Sequence, residues 1–258
     1  MEYKTVAEAK AMPGLRMALT AGVPGPWSEA AKAVLRVKNI AFTPVLQKAG
    51  GENEELVAWT GYRNAPTLMY EDEPPKVTWL DIVNLAERLQ PSPSLVPANI
   101  EDRILMNGLI NEIAGEGGML WSSRQLMFRT MREALGEEAT ANNPMLRDYR
   151  YSDEEAAVAS NRVIAALQRL EQQLQQQTGK GSKYMIGDNL TALDLYWACF
   201  SQTFKPLPQD VNPMPDSLRG MWGAAAAAIE QAGHTPHQCL FEHRDFIYEQ
   251  HIGLPLDY

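Results

Sequence analysis

The sequence predicts a mixed α/β domain over residues 1–90, a linker over 91–98 and an all-helical domain over 99–258. Three observations carry this fold class. Short β-like runs alternate with helical patterns in the first ninety residues. Pro91, Pro93 and Pro97 then fall within seven residues, which no helix survives. From there onward apolar residues recur at helical spacing with few interruptions.

In the first part, Leu15 to Thr20 reads as a strand ended by the turn cluster Ala21-Gly-Val-Pro-Gly-Pro26. Trp27, Ala30, Ala31, Val34, Leu35 and Val37 recur at helical spacing, so residues 28–38 should form an amphipathic helix closing at Asn39. Residues 41–46 give a second strand, whose Pro44 assigns it to an edge or marks its start. Residues 63–70 give a third, opened by Pro66, and 74–77 a turn with the stub of a fourth. Thr78 stands three residues before Asp81 as a helix cap, ahead of Ile82, Val83, Leu85, Ala86 and Leu89.

In the second part, residues 99–135 carry helical periodicity broken around Gly115 to Gly118. Ser152 caps a helix running to about Gln177, with Ala156, Ala159, Val163, Leu167, Leu170 and Leu174 as its inward stripe. Thr191 and Asp194 stand at cap spacing before a segment apolar nearly all round, which should lie at the centre of the helical domain. The tail from Phe241 to Tyr258 is rich in aromatics and should pack back on the body.

Composition narrows the function. The chain has 258 residues, 45% hydrophobic and 21% charged, with a formal charge of −9, which disfavours nucleic acid and anionic membrane surfaces as partners. No apolar run approaches the roughly 20 residues that span a bilayer. The start Met1-Glu-Tyr-Lys has acid where a secretory signal carries base, so a cytoplasmic protein is expected. Cys199 and Cys239 are far apart, and two buried free thiols are expected rather than a disulfide. His234, His237, His243 and His251 lack metal-ligand spacing, so no metal is expected.

A strand-helix-strand start, a proline-opened strand, a stub and helix, a linker, and then helices containing Gly187-Asp-Asn-Leu-Thr191-Ala-Leu-Asp194 resemble the cytosolic glutathione transferases over nearly the whole chain. The resemblance implies a thioredoxin-like N-terminal domain of βαβαββα type with a cis-proline, which binds glutathione as co-substrate. It implies a helical C-terminal domain that covers a small hydrophobic electrophile, and a homodimer. The box formed by Thr191 and Asp194 is similar to the family's structural signature and identifies fold rather than chemistry.

The site residues follow from the same resemblance. Ser28, with Trp27 beside it, falls where many bacterial members carry a catalytic Ser or Cys. A hydroxyl at a helix N-terminus stabilises a thiolate held over it; the plain alternative is that Ser28 only caps the helix. Ala65 and Pro66 resemble the cis-proline step whose main chain bonds the cysteinyl part of glutathione. Where members carry an acid and a serine for the γ-glutamyl group, this chain has Val77-Thr78 or Thr78-Trp79, depending on register. Thr78 keeps a hydroxyl and the acid is missing, with Asp81, Glu71 and Asp72 the nearest substitutes in sequence. Trp121, Arg124 and Phe128 are the candidates for the electrophile pocket, helix-face core being the plainer account of the aromatics. A protein that keeps the architecture without the chemistry, as a binding or scaffold protein, is the competing reading.

Overall fold

Leu15 to Leu19 are all buried, leaving only Thr20 partly exposed in strand β1 (Leu15–Thr20). A strand covered on both faces belongs in the middle of a sheet. β1 is indeed flanked by β2 (Thr43–Gln47), which runs parallel to it, and by β3 (Thr67–Tyr70), which runs antiparallel. A computed structural model describes all 258 residues, which divide into two units: residues 1–95 with 256–258, and residues 96–255.

Pro44 sits within β2, at the edge of the sheet. Its carbonyl accepts from Lys4 N at 2.9 Å, and Lys4 pairs with Val45. The missing N–H of Pro44 therefore points away from β1, where it costs no ladder bond. The fourth strand reduces to one bridge between Leu68 and Lys76. The helix after β1 is α2 (Pro26–Val37), two residues earlier than the apolar spacing indicates. Proline lacks the N–H that a first helical residue leaves unbonded and has the right φ already set, so Pro26 opens the helix rather than only ending the turn. Asn39, at φ 53°, ends it as expected.

Two helices carried too little periodicity to read from sequence. The first, α1 (Val6–Lys10), precedes β1 and is closed by a reciprocal box between Thr5 and Glu8. The second, α3 (Glu54–Thr60), lies between β2 and β3. Val6 and Trp59 from these helices pack against Ala9, Val45 and Met69. Helix α4 (Trp79–Leu89) packs against α2. Buried Lys38 fixes the chain beyond α4: its ammonium donates to Gln90 O and Pro93 O at 2.7 Å each and pairs with Glu87 at 2.7 Å. Glu87 in turn accepts from Leu95 N.

The second unit is helical: α5 (Ile100–Ala114), α6 (Met119–Leu135), α7 (Glu137–Thr140), α8 (Pro144–Asp148), α9 (Asp153–Thr178), α10 (Ala192–Ser201), α11 (Asp216–Gln231) and α12 (Gln238–Ile247), then a π-helical turn over Tyr248–Ile252. The break between α5 and α6 has a steric cause. A Cβ on Gly115 would lie 2.6 Å from Asn111 O, and one on Gly118 2.7 Å from Glu112 O. Only glycine lets the chain turn back this tightly. All ten residues of α10 are buried, as its all-round apolar character indicates. Cys199 and Cys239 are both free thiols; Cys239 is half-buried rather than buried, and burial pushes its thiol above the usual range. No helix is long and apolar enough to cross a membrane.

Candidate functional site

Strand register gathers three of the sequence candidates. β3 begins beside the C-terminal half of β1, with Thr67 opposite Ala18, so Ala65 and Pro66 lie at the C-terminal end of β1. Lys76 pairs antiparallel with Leu68, itself opposite Met17, so the chain from Lys76 to Thr78 climbs toward the same end. α2 starts there too, after the turn that follows Thr20. Ser28, the Ala65–Pro66 step and Thr78 thus share one end of the sheet, the end at which α/β folds bind ligands.

Ser28 is buried and is the third residue of α2 rather than its cap. Gly25 caps the helix, with no side-chain hydrogen bond to the first turn. The Ser28 hydroxyl nevertheless reaches back to the helix start: a Cβ on Gly25 would lie 3.9 Å from Ser28 Oγ. At φ −59° and ψ 125°, Gly25 has a backbone that any residue adopts, and a Cβ there would make an ordinary contact with the Ser28 hydroxyl. Trp27 is half-buried.

The next residue, Glu29, is buried and pairs with Lys32 at 2.7 Å. Burial pushes its carboxyl up to about 7, with Lys32 opposing the rise and the charge of Asp257 adding to it. Sequence spacing gives no sign of this group, because Asp257 lies more than two hundred residues away.

The Ala65–Pro66 bond is cis, as expected. The loop before it is anchored by polar groups absent from the sequence reading. Gln47 accepts from Thr20 Oγ1 and donates to Arg63 O at 3.2 Å. Arg63 Nη1 donates to Gly51 O at 2.7 Å, and Thr67 Oγ1 to Asn64 O at 2.7 Å. The loop is held from both sides.

Thr78 caps α4 as expected, Oγ1 accepting from Asp81 N at 3.1 Å and donating to Asp81 Oδ2 at 2.7 Å. Its neighbour Trp79 is half-buried. Two of the substitute acids are thereby engaged in structure: Asp81 by Thr78, and Glu71 by Gly14 N at 3.0 Å. Asp72 is exposed.

In the helical unit Trp121 and Arg124 line two different hollows. Trp121 stacks on Tyr149 with ring centres 4.8 Å apart and lines a hollow of about 540 Å³ beside Arg150 and Arg162. Arg124 lies in a crevice of about 10 Å³ against Trp222, its Nη1 3.3 Å from the Met127 sulfur. Phe128 is buried against Tyr149 and Tyr151. The three lie on α6 at spacings of three and four residues; Trp121 and Phe128 share Tyr149, and Arg124 meets Trp222 instead.

Asp194 is fully buried and accepts four bonds, from Met185 N, Thr191 N, Thr191 Oγ1 and His243 Nε2, at 2.8 to 2.9 Å. The first three knit the start of α10, and the fourth ties it to α12. No three His, Cys, Asp or Glu side chains gather as a metal site.

Comparison with solved structures decides the architecture. A glutathione S-transferase from Methylobacterium radiotolerans, in complex with glutathione sulfonate, matches 89% of this chain and 93% of its own at 13% identity and a TM-score of 0.57. A β-etherase from Sphingobium matches 90% of this chain and 99% of its own at 16% identity and a TM-score of 0.57. A glutathione S-transferase from Methylobacillus flagellatus with glutathione bound matches 89% and 98% at 13% identity and a TM-score of 0.56. The chain has the glutathione S-transferase fold. No family model matches the sequence, and no curated relative does.

Within the glutathione S-transferase fold, the sheet with its cis-proline is the thioredoxin-like domain and residues 96–255 are the helical one. Sequence reasoning missed Gly25 as the helix cap and His243 as a partner of Asp194. Gly25-Pro26 was open to detection, since proline at a first helical position is a known start signal. His243 had no local signal, being 49 residues from Asp194.

Proposed function

We propose that this protein is a glutathione-dependent transferase, or a related isomerase or lyase, that ionises the thiol of glutathione over Ser28 for attack on a small hydrophobic electrophile. The observation that carries the reading is the start of α2, capped by a glycine without a side chain, where the Ser28 hydroxyl lies beside Gly25. A thiolate there, its proton lost to solvent, accepts a hydrogen bond from the hydroxyl and lies in the field of the helix N-terminus, both of which favour the ionised form. Ala65 supplies main-chain hydrogen bonds to the cysteinyl part and Thr78 the helix start for the γ-glutamyl carboxylate. Trp27 and Trp79 flank the tripeptide. The helical domain, with Trp121, Arg124 and Phe128 as candidates, receives the electrophile. The proposal includes a cytoplasmic homodimer, which light scattering of the purified protein tests for its oligomeric part.

Titration calorimetry with glutathione is the first test; heat at millimolar ligand is expected, and none would overturn the reading. Ser28→Ala should lower kcat/KM for thiol transfer to an activated aryl halide by about 10²-fold. Full activity in that variant removes Ser28 from the chemistry. A second reading, an inactive binding protein with the same architecture, is favoured by one observation: of the three substitute acids, Asp81 and Glu71 are already hydrogen-bonded within the protein, which leaves only Asp72 to supply a bond to the glutathione ammonium worth about 1.5–3 kcal/mol. Absence of glutathione heat selects that second reading.

A further inference from the structure

The last three residues group with the first unit, although the chain through Pro255 belongs to the second. Two bonds hold them. Lys32 Nζ donates to the main-chain oxygen of Asp257, and the amino group of Met1 pairs with Asp257 Oδ1 at 2.6 Å. Lys32 is the same residue that pairs with buried Glu29, in the first turn of α2. One ammonium therefore joins the tail to the turn that carries Ser28. We propose that residues 256–258 form a pH-sensitive strap that fastens the first turn of α2 through Lys32.

The charged and titratable groups facing Glu29 are Lys32 on its own helix, Asp257 on the tail and Tyr3 on the segment before α1. Tyr3 is pushed up by burial and then by the charges of Glu29 and Asp257. With the strap in place, Glu29 lies buried near Asp257 and favours its proton. Release of the tail removes the Asp257 charge and admits water, which returns Glu29 toward the ordinary carboxylate range. The fastened form thus binds the proton more tightly than the released form. By linkage, the strap is held most firmly at acidic pH and loosens as pH rises toward 7. The device stands on the geometry of the tail and does not depend on glutathione binding.

The test is an NMR titration of the Glu29 side-chain carboxyl in the full chain, in Asp257→Asn and in a chain ending at Pro255. The expected midpoint is near 7 in the full chain, lower in Asp257→Asn, and lower by about one pH unit or more in the shortened chain. In parallel, amide exchange over residues 29–32 at one fixed pH should speed about tenfold in the shortened chain. An ordinary carboxylate midpoint in the full chain overturns the proposal. So does an unchanged midpoint in Asp257→Asn, which tests it even if the shortened chain does not fold.

Discussion

Two helices of this protein begin in opposite ways. At α10 the start is closed: Asp194 takes both the amide and hydroxyl of Thr191, then Met185 N and His243, and the whole arrangement is sealed from solvent. At α2 the cap is a glycine, which has no side chain to bond the first turn, and a serine hydroxyl lies beside it. A buried carboxylate whose four donors all come from the protein builds structure. A glycine-capped helix start forgoes only a few tenths of a kcal/mol relative to a side-chain cap and keeps the field of its dipole for a ligand. The contrast separates the residues that make this fold from those that could use it.

Substitutions at the two starts test that contrast. Asp194→Ala should have the largest effect, about 3–5 kcal/mol, because it strips four donors of their acceptor in a buried site; urea unfolding measures it, and a loss under 1 kcal/mol would mean that α10 does not rely on its closed start. Glu29→Gln comes next. Its folded pKa of about 7 lies above the unfolded 4.5, so the wild-type fold holds its proton more tightly and loses stability as pH rises from 4.5 to 7. That loss amounts to roughly 3 kcal/mol, and the variant should lack it. Unfolding curves at pH 5 and pH 8 check the difference in slope. Thr191→Val should cost about 1–2 kcal/mol through the lost hydroxyl bond to Asp194. Ser28→Ala should change stability least, by about 0.5 kcal/mol or less, so that thermal melts coincide with wild type while thiol transfer falls.

The two starts also differ in how well the sequence discloses them. Thr191-x-x-Asp194 ahead of an apolar run spells out a closed helix start in four residues, and the structure keeps it. The start of α2 was misread by two residues because Val23-Pro-Gly-Pro26 looks like a breaker, whereas Pro26 is the first helical residue. Strand β1 was legible to the residue, since continuous apolar character has one explanation in a short run between turns. Helix α3 was not, because it is only seven residues long and buries only Leu56 and Thr60. The candidate site divides the same way. Ser28, Pro66 and Thr78 stand out locally, but Gln47 with Arg63, and Glu29 with Asp257, become neighbours only through the folded chain. On α6, helical spacing tells which residues share a face and not what that face meets: Trp121 and Phe128 meet Tyr149, whereas Arg124 meets Trp222.

Lys38 has a practical consequence for anyone dissecting the protein. Its buried ammonium takes one of its three acceptors from Pro93, and its partner Glu87 also holds Leu95 N. An excised thioredoxin-like module cut at the end of α4 would leave that ammonium with Glu87 alone and without its two carbonyl acceptors, so the severing point for a transplantable fragment lies beyond Leu95, several residues past the last helical turn.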